Sequence, residues 1–201
     1  IPNYQWHIMH EWLSYIWFYS IYGLSGFVGI TIFKDIIVLT IVALIFLFAL
    51  KTKSGLCLIP LLSAWCMYIL SFRMIERSSL FSDLFSFLVL LITLQLKFIV
   101  NKSKLLFILP LIFLLWINLH PGFYIGLIIL SINIIVDGIK FLFTKKIHKK
   151  YYYLLVINFV VCIIILLINP LGIRGFLYPF IAIFEPSWEF YRQHNYEWMP
   201  T

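Results

Sequence analysis

Two stretches of this chain, 36–50 and 154–168, contain no charged residue at all. With their apolar flanks they approach the roughly 20 residues that a helix needs to cross a bilayer. Lys51 and Lys53 close the first run, and Asn169-Pro170 closes the second. A soluble domain can bury one such segment in a core. It cannot bury a whole chain of them, and here 63% of residues are hydrophobic and only 11% charged. Soluble domains run at roughly half and a quarter. The sequence therefore predicts an all-α, polytopic membrane protein.

Taken in order, residues 1–24 are aromatic and only moderately apolar, with Trp6, Trp12, Tyr15, Trp17, Tyr19 and Tyr22. Amphipathic rings of this kind settle at the membrane–water interface. Residues 7–22 read as a helix lying near that surface, ended by Gly23, Ser25 and Gly26. About six spans follow, near 28–50, 56–72, 80–100, 105–119, 123–143 and 151–168. The tail after Pro170 has an apolar piece, 176–184, too short to span. The organisation is one transmembrane domain: an interfacial segment 1–24, a helical bundle 25–169 and an extracytoplasmic or interfacial tail 170–201. The chain opens without a signal peptide, so it reads as an excerpt of a longer protein in which a membrane helix can precede Ile1.

Alternating the spans sorts the charges. One side collects ten of the eleven lysines and no arginine. By the positive-inside rule that side is cytoplasmic, which places the protein in the inner membrane. The rule also accounts for the net charge of +7 without a nucleic-acid partner. The opposite side collects all four arginines, four of the five histidines and most of the acids, including Glu11 and the loops that carry Arg73 and His120. Topology does not ask for arginine there, so the extracytoplasmic face is the chemical face.

Arginine grips phosphate or carboxylate with a planar fork and never loses its charge. Arg73 and Arg174, at helix ends, read either as phosphate ligands or as anchors to headgroups. Lys34 reads as a phosphate ligand or as half of a neutral pair with Asp35. Asp83 reads as a helix-dipole partner or a site residue. His7, His10 and Glu11 share one helical face at i, i+3 and i+4, a spacing that suits a divalent metal or a carboxylate base at Glu11. Cys57, Cys66 and Cys162 lie in apolar runs and read as packing residues. In Trp116-Ile117-Asn118-Leu119-His120-Pro121-Gly122, a polar turn joins two apolar runs. There His120 reads as a cap or as a contact to a substrate oxygen, and Gly122 with Gly126 as a close helix contact.

Four motifs in order carry a resemblance over nearly the whole chain: Trp6 to Leu13 with Gly23 and Gly26, Trp116 to Phe123, Asn169 to Gly172, and Glu197 to Pro200. Together they resemble uncharacterised bacterial multi-spanning proteins that look like GT-C fold glycosyltransferases, such as the protein O-mannosyltransferases and the aminoarabinose transferase of lipid A. Pro121 stands where that turn has its first glycine. The resemblance implies a GT-C-like transferase that uses a polyprenyl-phosphate sugar, with a lipid-linked donor and an envelope acceptor as partners. It implies Glu11 as acid/base or orienting group and His120 beside it. Arg73, Arg174 and Lys34 would hold phosphate, and Asn118, Asn169, Glu197 and Trp198 would meet substrate. The acidic residue usual in the first outer loop of such enzymes would lie upstream of Ile1. A transporter and a non-catalytic assembly subunit are the competing classes; no internal repeat of the kind found in transporters is visible.

Overall fold

The structure, a computed structural model, describes residues 10–51, 78–96, 105–143 and 147–184. The expected span at 56–72, and Arg73, Glu197 and Trp198, lie outside these residues. Six helices are described, numbered here in chain order: α1 (Trp12–Lys51), α2 (Ser79–Leu96), α3 (Ile108–Leu119), α4 (Phe123–Phe143), α5 (Lys149–Ile165) and α6 (Ile173–Phe184). Among the described residues there is no strand, and the fold they make is all-α.

The expected interfacial helix and the first span meet at a single residue. Within α1 only Gly26 leaves helical geometry, at φ 61° and ψ −154°. Glycine has no Cβ to clash in that region, so the chain changes direction there without strain. Gly23 and Ser25, expected to help end the first helix, stay inside it. The polar break thus shrinks from a loop to one backbone unit.

Two helices, α1 and α4, are long and apolar enough to cross a membrane. Only 17% and 22% of their most apolar stretches are buried. Leu24, Phe27 and Val28 on α1, and Ile132, Ile135 and Phe143 on α4, face outward. Apolar surface this extensive is stable only against lipid or another apolar partner.

The bundle is held by an inner seam. α2 packs mainly on α4, α3 and α4 each pack on α5, and α1 leans on α2 and α3. Val89, Leu106, Leu109, Phe113, Trp116, Phe123, Leu130 and Leu155 are fully enclosed. Close approach of α3 and α4 depends on Gly126. A Cβ there would come within 2.6 Å of Trp116 Cζ3 and 2.8 Å of Phe113 Cζ. The short turn between these two helices thereby delivers His120 to a fixed place at one end of the bundle.

Candidate functional site

The site begins with a proline. A residue before proline is pushed out of the helical region, and His120 accordingly sits extended at φ −159° and ψ 142°. Its own N–H still bonds Trp116 O at 2.8 Å, so α3 is capped cleanly. The imidazole is then held on its Nδ1 side. Gly122 N–H donates to Nδ1 at 3.0 Å, and Ser82 Oγ lies 2.6 Å from the same nitrogen. Trp116 Nε1–H in turn donates to Ser82 Oγ at 2.7 Å. Gly122 has to be glycine, because a Cβ there would collide with the Ser82 side chain and lie 2.9 Å from His120 Nδ1. The tight approach expected of this turn is real, and its target is α2.

On its other side the ring faces Glu11. His120 Nε2 lies 3.5 Å from Glu11 Oε1, and His10 Nε2 lies 3.5 Å from the same oxygen. Ser78 donates to Glu11 Oε2 at 2.6 Å. Burial pushes the Glu11 carboxyl up. The contacts from His10 and Ser78, with the charge of the two histidines, outweigh burial and leave it below its ordinary value. Glu11 is therefore a carboxylate at neutral pH. Residues 11 and 120, singled out for the same chemistry, meet in space.

Neighbours fix this pair in place. Trp12 donates its indole N–H to Asn118 Oδ1 at 2.8 Å, while Asn118 Nδ2 bonds Leu114 O and Ile168 O. Asn118 thus ties α1, α3 and the end of α5 together. Asn169 shapes the next turn. Its side chain accepts from Leu171 N–H and donates to Leu166 O and Gly172 O, and Gly175 packs directly on it. That turn aims α6 so that Tyr178 stacks on His10 at 3.9 Å. The Tyr178 hydroxyl is pushed up to about 12, first by burial and then by Glu11 and Tyr15, so it stays protonated.

Of the remaining expected residues, Arg174 is exposed one helical turn before Tyr178. Lys34 lies on the far side of the Gly26 break, 3.9 Å from Asp35, the neutral-pair arrangement. A small open cleft lies beside the pair and is lined by His10, Trp12, Pro121, Phe123, Asn169 and Pro170 among others. Ser82, Ser78 and Tyr178 are the site members that sequence reasoning passed over. Ser82 and Ser86 lie one turn apart on α2, and the hydroxyl of Ser86 turns back to Ser82 O. A serine at the inward end of an apolar helix was the available signal.

Among the described residues no three His, Cys, Asp or Glu side chains are arranged to hold a metal ion. What the arrangement offers is an ionised carboxylate beside an imidazole at one end of the bundle, on an all-helical scaffold that carries two helices able to cross a membrane. No family model, curated protein or solved structure matches the chain.

Proposed function

We propose that this protein is a GT-C-like membrane glycosyltransferase. It moves a sugar from a polyprenyl-phosphate donor to an envelope acceptor at the extracytoplasmic face of the inner membrane. In this reading the full bundle has about six spans, and the lysine-rich loops face the cytoplasm. The observation that carries the proposal is the Glu11–His120 pair, built from residues 109 positions apart (120 − 11) that the charge sorting puts on one face.

Each residue has a part. Glu11 takes the proton of the acceptor hydroxyl as the oxygen attacks the anomeric carbon. The bond from that carbon to the phosphate oxygen breaks, and the electron pair leaves with the phosphate. Arg174, one turn from the His10–Tyr178 stack, grips the phosphate, with Arg73 as a further cationic contact. Tyr178 and His10 offer aromatic faces for a sugar ring. Asn118 and Asn169 set the frame in which these groups meet.

The test compares lipid-linked sugar pools and surface glycans in cells that carry wild type, Glu11→Gln or His120→Ala at equal levels. Accumulation of a polyprenyl-phosphate sugar, together with a glycan lacking one residue, is the expected result. Unchanged pools with a properly inserted protein would remove the transferase reading.

One observation favours a transporter instead. Asn133 and Asp137 on α4 and Asn158 on α5 are buried between helices, and Asn158 Oδ1 makes no hydrogen bond. Polar side chains inside a membrane bundle often mark a solute path. Loss of uptake of a polar solute on Asn133→Leu, with glycans intact, would decide for that reading.

A further inference from the structure

We infer that α6 docks on the membrane surface. Ile173, Leu177, Phe180 and Ile181 sit among the acyl chains of one leaflet, and Arg174 meets the phosphate of a phospholipid headgroup. Length comes first. The 12 residues of α6 reach about 18 Å at 1.5 Å per residue, against roughly 30 Å for the hydrocarbon core, so this helix does not span. It carries a single charge, Arg174, and no acid.

The two faces of α6 have different surroundings. Gly175 packs on Asn169, Phe176 stacks on Phe123 at 6.0 Å, and Tyr178 stacks on His10 at 3.9 Å. The bundle therefore holds the inner face. The four outward residues recur at i, i+4, i+7 and i+8, which is one stripe of a helix. Each is between 39% and 57% exposed, too much apolar surface to leave against water on so short an element.

Two observations name the bilayer as what covers this stripe. The first is continuity. α6 follows, after one short turn, the outward apolar face of α5, where Val160, Ile164 and Leu167 are exposed. The second is charge. Arg174 is exposed and lies next to Ile173 at the margin of the stripe. Its stem can lie along apolar surface while its forked guanidinium grips a phosphate. Helix stability does not ask for a cation there, because the first turn already holds the positive end of the dipole. An apolar stripe edged by such a group is complementary to the boundary between acyl chains and headgroups.

α6 then forms a wall between the leaflet and the small cleft. Gly175 lines the cleft on the inner face, while Ile173 and Leu177 face lipid on the outer one. The docking needs a bilayer and does not rest on the transferase reading. Under that reading, the donor reaches Arg174 from the same leaflet, since a polyprenyl phosphate is itself a lipid phosphate.

The test uses the full chain in vesicles of phosphatidylcholine and phosphatidylglycerol. Single spin labels are placed by Leu177→Cys or Ile181→Cys in a background without other cysteines. A label at position 39, exposed on α1, gives the lipid reference. At 177 and 181, as at 39, collisions with oxygen are expected to exceed those with a water-soluble nickel chelate. Chelate access at 177 and 181 with 39 still shielded overturns the docking. Exclusion of both reagents, as beneath a protein partner or another part of this chain, overturns it equally. Chelate access at 39 as well removes the membrane reading on which the docking stands. Carbon–phosphorus dipolar NMR of arginine-labelled protein in the same vesicles reads the headgroup contact. The Arg174 guanidinium signal, assigned by its loss in Arg174→Gln, is expected to be attenuated by lipid phosphorus. An undiminished signal overturns the phosphate contact while the apolar docking stands.

Discussion

Trp12 and Asn118 are joined by a 2.8 Å hydrogen bond across 106 residues of sequence. Through it the start of α1 is fastened to the end of α3, with Glu11 and His120 immediately beside the two partners. Asn118 also donates to Ile168 O, which brings in the end of α5. Removing the side chain leaves a part-buried indole N–H and two carbonyls without this partner. Asn118→Ala is expected to cost about 1–3 kcal/mol, read as a lower midpoint of thermal unfolding in detergent. Asn118→Asp keeps the acceptor for Trp12 but turns a buried carboxylate oxygen on Leu114 O and Ile168 O, so it is expected to lose at least as much as Asn118→Ala.

Gly122→Ala is expected to be harmful for a different reason. The added methyl meets the Ser82 side chain and His120 Nδ1. Ser82 can relieve the overlap only by turning away from His120, which breaks the 2.6 Å contact. Overpacking of this kind costs about 1–3 kcal/mol. Chemical denaturation should show the loss, and Gly23→Ala, which meets nothing within 4 Å, should not show it.

The titration of Glu11 fixes the sign of one pH effect. Burial raises its carboxyl, but His10, Ser78 and His120 bring the net position below the ordinary 4.5. A depressed folded value means that its stabilising contribution is complete above the unfolded value and is lost as pH falls through the folded one. The stability difference between wild type and Glu11→Gln should therefore narrow only below about pH 4.5. An unfolding series at descending pH checks this; narrowing that began near neutrality would contradict it.

These partners show what a sequence can and cannot reveal. The breaks are legible because Gly, Pro and Asn act locally. Gly26, His120-Pro121 and Asn169-Pro170 each end or turn a helix. The α4 span, Phe123–Phe143, coincides with the expected 123–143 because both ends carry local signals. Glu11 and His120 stand out because charge and imidazole are rare in so apolar a chain. Ser82 and Ser78 do not stand out. A hydroxyl on an apolar helix looks the same whether it turns back to its own carbonyl, as Ser86 does, or reaches a partner 38 residues away, as Ser82 does. Only the packing of α2 against the α3–α4 turn separates the two cases. Arg174 was legible as a cation but not in its placement, which depends on how Asn169 aims α6.

Gly26→Ala is expected to alter shape more than it alters packing. Nothing lies within 4 Å of the position where its Cβ would stand, but φ 61° with ψ −154° is closed to an L residue except at a cost of about 1–3 kcal/mol. The relief available is a continuous helix through residue 26. Spin labels at positions 16 and 39, both exposed, should report a longer separation in the variant than in wild type. An unchanged distance would show that the break is held by tertiary contacts instead of by the glycine.

The same break separates two mechanical tasks. Beyond Gly26, α1 exposes Phe27, Val28, Ile32 and Leu39, a surface that must follow the thickness and tilt of its bilayer. Before Gly26, Trp12 and Glu11 are anchored to Asn118 and Ser78. The two segments are also joined to each other, because Phe33 beyond the break packs on Trp17 and Phe18 before it. The geometry of the carboxylate–imidazole pair is thus set by contacts within the protein, while the outward face beyond the break is left for an apolar surrounding.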